Sequence, residues 1–245
     1  MILDIDAGNS FVKWRVKDIS DVIASGHEST EQVSKQGLDL KKIESLNQAR
    51  ISSVTNPALA EKVREQVRQQ FNVDLQIARV SSMVSGVTCG YTEPETLGID
   101  RWLAVVAAYQ RYREPVLVVD AGSAITIDLV GPQGVHLGGY ISPGLRLMQD
   151  ALWQGTEKVQ VDSVESLNML VPGACTQDAV NRGCLFAVVA TIEKLASQYP
   201  ASIVITGGDA PVVAEALSLT SDHIPDLVLD GLAVTGVEFT QTLIS

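Results

Sequence analysis

Asp6-Ala7-Gly8-Asn9-Ser10 and Asp120-Ala121-Gly122-Ser123-Ala124 are one hook written twice in this chain. The first follows the apolar run Met1-Ile2-Leu3-Asp4-Ile5 and leads into a second strand-like run at 11–16. The second follows Val116-Leu117-Val118-Val119 and leads into another at 125–130. A single Asp-x-Gly turn would mean little, because both residues are ordinary in turns. Two copies in matching strand-turn-strand settings predict two related halves facing each other. Glycine lets a ligand approach the backbone closely, and successive N–H groups around such a turn make an anion-binding nest. Ser10 and Ser123 add hydroxyl donors, and Asp6 and Asp120 can hold a cation. The pattern reads as a phosphate clamp with metal ligands attached.

Working outward, alternation and helical spacing predict strands at 2–6, 11–17, 20–26 and 49–54, a helix at 59–71 and a strand at 74–79. A loop at 81–98 and a helix at 100–113 complete the first half. The second half repeats the order, with strands at 116–120, 125–130 and 134–141 and helices at 145–153 and 178–199. A strand at 202–206, a helix from 211 and a last strand-helix pair over 224–241 follow. The break falls near Glu114-Pro115, giving domains 1–114 and 115–245, both α/β in layout.

The chain has 245 residues, 46% of them hydrophobic and 19% charged, enough for globular cores. A formal charge of −11 argues against a nucleic-acid partner, which needs a basic face. Cys89, Cys175 and Cys184 form no paired framework, read as buried small apolar residues, and suit a reducing cytoplasm. Acidic Asp4 and Asp6 stand where a signal peptide would be basic, and no apolar run is long enough to span a membrane. A soluble, cytoplasmic protein is expected.

The common nucleotide motifs are absent: no Gly-x-x-x-x-Gly-Lys-Ser/Thr loop exists, and no Gly-x-Gly-x-x-Gly follows a strand. His27, His136 and His223 are scattered, and His136 reads as a surface or core residue. Lys13 falls between Val12 and Trp14, so it points away from their face, either into solvent or, beside the hook, at phosphate oxygens. Asp100 in Gly98-Ile99-Asp100-Arg101 is explained as a helix cap when read alone. Arg101 beside it is a cation at a helix N-terminus, electrostatically misplaced unless something acidic engages it. Thr206-Gly207-Gly208-Asp209 ends an apolar strand, either as a plain tight turn or as a place for a base or ribose against the backbone.

Together these segments resemble a known family. Asp6-x-Gly8-Asn9-Ser10-x-x-Lys13, Tyr91-x-x-Pro94-x-x-Leu97-Gly98-x-Asp100-Arg101, Asp120-x-Gly122-Ser123-Ala124-x-Thr126, Gly138-Gly139-x-Ile141-x-Pro143-Gly144-Leu145 and Thr206-Gly207-Gly208-Asp209 are similar in order and spacing to the motifs of type III pantothenate kinases. The resemblance spans essentially the whole chain. It implies two ribonuclease-H-like (actin-like ATPase) domains with mixed sheets flanked by helices, and an active site in the cleft between them. It also implies transfer of the ATP γ-phosphoryl group to the 4′-hydroxyl of pantothenate, the first step towards coenzyme A.

By the same resemblance, Asp6, Ala7, Gly8, Asn9, Ser10, Phe11, Val12, Lys13 and Ser123 bind ATP. Tyr91, Gly98, Ile99, Asp100, Arg101 and Thr176 bind pantothenate, and Asp100 is the proton acceptor. Asp120 ligates a monovalent cation, K+ or NH4+, with Mg2+ near Asp6, and the enzyme is a homodimer. Ser10 and Ser123 stand where many members carry Thr, and both keep the hydroxyl. Two rivals share these residues: an actin-like kinase for another small alcohol, and a non-catalytic nucleotide-binding accessory to gene expression. Loss of Asp6, Lys13, Asp100 or Asp120 would favour the latter, and all four are present.

Overall fold

A computed structural model describes residues 1–53, 57–153 and 170–241. The chain divides into two compact units, Met1–Gln110 with Leu227–Ser245, and Arg111–Asp226. Val54, the end of the predicted fourth strand, lies outside the described residues.

In the first unit β1 (Ile2–Ala7), β2 (Phe11–Asp18) and β3 (Asp21–Ser29) make an antiparallel meander. Period-2 alternation sends Leu3, Ile5, Ala7, Val12, Trp14 and Val16 into one core. A short helix, α1 (Thr30–Gln36), follows. Val33 is its one buried residue, too little periodicity for the sequence to have announced it. β4 (Gln48–Ser53) runs parallel to β1, and α2 (Pro57–Phe71) adds Leu59, Ala60, Val63 and Val67 to that core. β5 (Leu75–Arg79) lies parallel to β4. The expected loop contains a small hairpin, β6 (Met83–Val84) and β7 (Val87–Thr88), before the largely buried helix α3 (Ile99–Tyr112). The order across the sheet is β5-β4-β1-β2-β3.

The second unit repeats this plan. β8 (Val116–Ala121), β9 (Ala124–Val130) and β10 (His136–Pro143) form the meander. Two helices, α4 (Leu145–Trp153) and α5 (Thr176–Gln198), precede β11 (Ser202–Thr206), which pairs parallel with β8. After α6 (Ala210–Ala216), β12 (Ser221–His223) pairs parallel with β11. The order β10-β9-β8-β11-β12 matches that of the first sheet. His136 is a core residue, its Nε2 2.9 Å from Asp128 Oδ1. Of the cysteines only Cys184 is buried; Cys175 is exposed and Cys89 half-buried, contrary to the expectation of three buried thiols.

The C-terminal segment corrects two expectations. It is a helix followed by a strand, α7 (Leu227–Leu232) then β13 (Glu238–Thr240), and it belongs to the first unit, not to a domain 115–245. β13 pairs antiparallel with β5, extending the first sheet to six strands. Helix α7 packs on β1 and β4. Gly231 permits close approach to α3, since a Cβ there would lie 2.4 Å from the Leu103 carbonyl oxygen.

A charged row fixes that return. Asp4, fully buried on the non-core face of β1, faces Arg15 on β2 and Arg50 on β4 in register. Arg50 holds Asp4 Oδ1 through Nη2 at 2.6 Å and Nε at 2.8 Å, and Arg15 Nε lies 3.5 Å from Oδ2. Arg15 Nη1 donates to Asp230 of α7 at 2.7 Å. Burial pushes the Asp4 carboxyl up from its ordinary value, and the two arginines oppose that push. Removing one member of a buried ionic group leaves its partners uncompensated. Asp4→Ala should therefore cost about 3–5 kcal/mol in urea unfolding. Asp230→Ala should cost about 1 kcal/mol or less, because its carboxylate is 42% exposed and screened.

Candidate active site

The first hook is the tight turn between β1 and β2. Ala7 pairs with Val12 and Asp6 with Lys13, and the Gly8 N–H donates to the Phe11 carbonyl at 3.0 Å. Ala7 and Val12 are buried while Asn9, Ser10 and Phe11 stand exposed at the tip. Asp6 and Lys13 are half-buried and share the face that carries Asp4, away from the core. Lys13 thus points where alternation placed it. Ser52, the register partner of Asp6 on β4, has a fully buried hydroxyl with no hydrogen-bond partner among the described residues.

The acceptor segment lies in the same unit. Gly98 precedes α3, and its carbonyl accepts from the Trp102 N–H at 3.0 Å. Asp100 folds back so that Oδ1 accepts the Arg101 N–H at 2.8 Å. A Cβ on Gly98 would lie 2.6 Å from that oxygen, so a larger residue there would make the half-buried carboxylate shift. Arg101 is buried, its Nη1 donates to the Tyr91 hydroxyl at 3.1 Å, and the guanidinium carbon lies 5.8 Å from the Tyr91 ring centroid. Tyr91 thus gives Arg101 a phenol face and a hydroxyl beside the helix start. Ile99 is buried.

Ser53 joins the two segments. It pairs with Ala7 in register, and it lines a pocket of about 240 Å³ with Ala78, Arg79, Glu95, Gly98 and Ile99. The pocket sits at the carboxyl ends of the parallel strands β4 and β5, where open α/β sheets place ligands. Burial pulls the Arg79 guanidinium down from its ordinary value. Ser53 and Arg79 were not singled out in the sequence, because strand pairing across tens of residues is what brings them here.

In the second unit Asp120, next to last in β8, pairs with Thr126 on β9 and with Thr206 on β11. The Gly122 N–H donates to the Ala124 carbonyl at 3.1 Å, and Ser123 is exposed at the tip. Gly207 has φ +95°, and a Cβ there would meet the Ala121 oxygen at 2.4 Å and Asp120 Oδ1 at 2.5 Å. One at Gly122 would lie 3.4 Å from the same Oδ1. The carboxylate is thus seated between two glycines beside a backbone carbonyl. Asp209 N–H donates to the Ala121 oxygen at 2.8 Å, so Thr206-Gly207-Gly208-Asp209 packs directly on this hook. Burial raises the Asp209 carboxyl. Thr176 opens α5, exposed, and no hydrogen bond among the described residues ties it to Asp120 or Ser123.

Among the described residues no group of three or more His, Cys, Asp or Glu could hold a metal by itself. Magnesium at kinase sites takes one or two carboxylates and keeps waters and substrate phosphates, which fits Asp6. A monovalent cation takes a carboxylate with backbone carbonyls, which fits the Asp120 seat, where a Cβ on Gly207 would fill the space beside both oxygens.

Two sheets that share a five-strand order, each with an Asp-x-Gly hook after its central strand, make the two ribonuclease-H-like halves of an actin-like fold. Residues 2–198 match the family model of type III pantothenate kinase. The chain is 39% identical over 241 residues to a Type III pantothenate kinase from Chromohalobacter salexigens, covering 95% of this chain and 86% of that one. This chain belongs to the type III pantothenate kinases. Two solved structures share the fold. One is a conserved Campylobacter jejuni protein described as a Baf family transcriptional activator, with TM-score 0.59, 23% identity and coverage of 94% of this chain and 95% of that one. The other, described as a 2-dehydro-3-deoxygalactonokinase from Sinorhizobium meliloti, has TM-score 0.59, 11% identity and coverage of 95% and 97%.

Proposed function

We propose that this chain transfers the γ-phosphoryl group of ATP to the 4′-hydroxyl of pantothenate, the entry step to coenzyme A. The observation that carries the residue assignment is Ser53, which links the strand of the first hook to the pocket of the Asp100 segment. Phosphoryl transfer through a loose transition state needs positioning and charge neutralisation more than covalent chemistry. Amides and Lys13 of the 6–13 hook, with Ser10 and Ser123 hydroxyls, take the ATP phosphates. Tyr91, Gly98, Ile99, Arg101 and Thr176 hold pantothenate. Asp100 aligns the attacking hydroxyl and accepts its proton late, as suits an ordinary carboxylate that is a weak base at neutral pH.

Magnesium at Asp6 and a monovalent cation at Asp120, when bound, neutralise phosphate charge. We further propose a homodimer, supported by exposed apolar side chains on the second unit: Leu137, Tyr140 and Ile141 on β10, Leu147 on α4 and Phe186 on α5. A cytoplasmic location is proposed from the three unpaired thiols. No helix among the described residues is long and apolar enough to cross a membrane.

Three measurements check this reading. Asp100→Asn keeps the capping geometry and removes the base, so turnover should fall about 10²–10⁴-fold with ATP affinity and Tm retained. Near-normal turnover would leave Asp100 a helix cap. Activity should collapse when potassium or ammonium is replaced by a large organic cation at equal ionic strength, and Gly207→Ala should reproduce that loss. Light scattering at micromolar concentration should report twice the chain mass.

A further inference from the structure

Each hook must dispose of the carbonyl oxygens of its turn, and both units do so from the same place in the fold. In the first, the residue that opens α1, directly after the third strand of the meander, is Thr30. Its N–H donates to the Ser10 carbonyl at 2.9 Å, and its Oγ1 donates to the Gly8 carbonyl at 2.9 Å. The backbone donor is one of the N–H groups that a helix start leaves without an intrahelical acceptor. In the second unit the corresponding residue is Gly144, after β10 and before α4. Its N–H donates to the Ser123 carbonyl at 3.1 Å. A Cβ there would lie 2.3 Å from the Gly122 oxygen and 2.6 Å from the Ser123 oxygen. The Pro143-Gly144-Leu145 motif, to which the proposed reaction assigns no role, has its explanation here.

A trans peptide points its C=O and the following N–H in opposite directions, and the described chain has no cis bond. With the Gly8 and Ser10 carbonyls turned onto Thr30, the Asn9 and Phe11 N–H groups point away from α1. With the Ser123 carbonyl on Gly144, the Ala124 N–H likewise points away from α4. We propose that Thr30 and Gly144 are positioning residues that aim the hook amides at the phosphate chain of the nucleotide. Neither residue touches the nucleotide; each acts through the hook. This inference rests on the hooks being the phosphate sites.

The experiment uses the full chain and ATP itself. Thr30→Val removes the hydroxyl and keeps the shape. Thr30→Pro removes hydroxyl and N–H together at a first-turn position that tolerates proline, behind Ser29 whose φ −65° and ψ 143° suit the residue before proline. Thr30→Ser keeps both donors. Losing one positioning hydrogen bond should raise the ATP dissociation constant about 3- to 10-fold. Thr30→Pro should raise it further and Thr30→Ser should restore it, with Tm and the pantothenate KM unchanged throughout. Lys13→Ala is measured alongside. Wild-type ATP affinity in both Thr30→Val and Thr30→Pro, with Lys13→Ala weakened, would overturn the brace and leave the hook reading standing. Wild-type affinity in Lys13→Ala would remove the hook reading and the brace with it. A loss that tracks a fall in Tm and is not rescued by serine would make Thr30 merely structural and overturn the proposal.

Discussion

Asp4 is an acidic group buried in the middle of the first sheet, and its position dictates much of what surrounds it. A buried carboxylate persists only when paired, and here Arg15 and Arg50 supply the pairing from the two neighbouring strands. Arg15 in turn reaches Asp230, so the last helix of the chain closes over a charged row that the first strand laid down. Strand alternation then does the rest. Whatever face Asp4 occupies, Asp6 and Lys13 occupy too, opposite Leu3, Ile5 and Val12 in the core. The parity that seats the ion pair also sets the hook residues away from the apolar layer.

The doubled sheet order explains why one chain carries two Asp-x-Gly hooks. In each unit the central strand ends in the hook, its antiparallel neighbour begins there, and a helix start comes back to that turn. The solutions differ in chemistry. The first unit uses the hydroxyl and amide of Thr30 as donors to the hook, whereas the second uses the missing side chain of Gly144 to bring backbone against backbone. The double glycine at 207–208 follows the same logic, since Gly207 admits the Asp120 carboxylate and the Ala121 carbonyl where a Cβ would exclude both.

Residues whose place in the fold is set by local periodicity were legible in the sequence. Both hooks, the meanders, α3 and its Asp100, and the outward aim of Lys13 follow from alternation and turn chemistry over a few positions. Features that depend on distant partners were not. Arg15 meets Asp230 across 215 positions, which is why 227–241 reads as part of the second half when it completes the first. The order of helix and strand there was inverted because Leu227–Leu232 is only six residues of apolar character, short enough to read as either. Thr30 was passed over because α1 has one buried side chain, and its importance lies in bonds to Gly8 and Ser10 that a linear reading does not show. Cys175 was taken as buried, and it stands exposed as the cap of α5.

Family membership names the chemistry, and the residue roles are this account's proposal, so the most direct test follows the phosphoryl group. The purified protein would be incubated with ATP, magnesium and potassium and, in separate reactions, with pantothenate and a panel of sugars and other small alcohols, with products read by phosphorus NMR. The account predicts a new phosphomonoester on the 4′-hydroxyl of pantothenate, formed with stoichiometric ADP and absent from the other acceptors. A sugar phosphorylated while pantothenate is left untouched, or no transfer to any acceptor from a folded, ATP-binding protein, would contradict it.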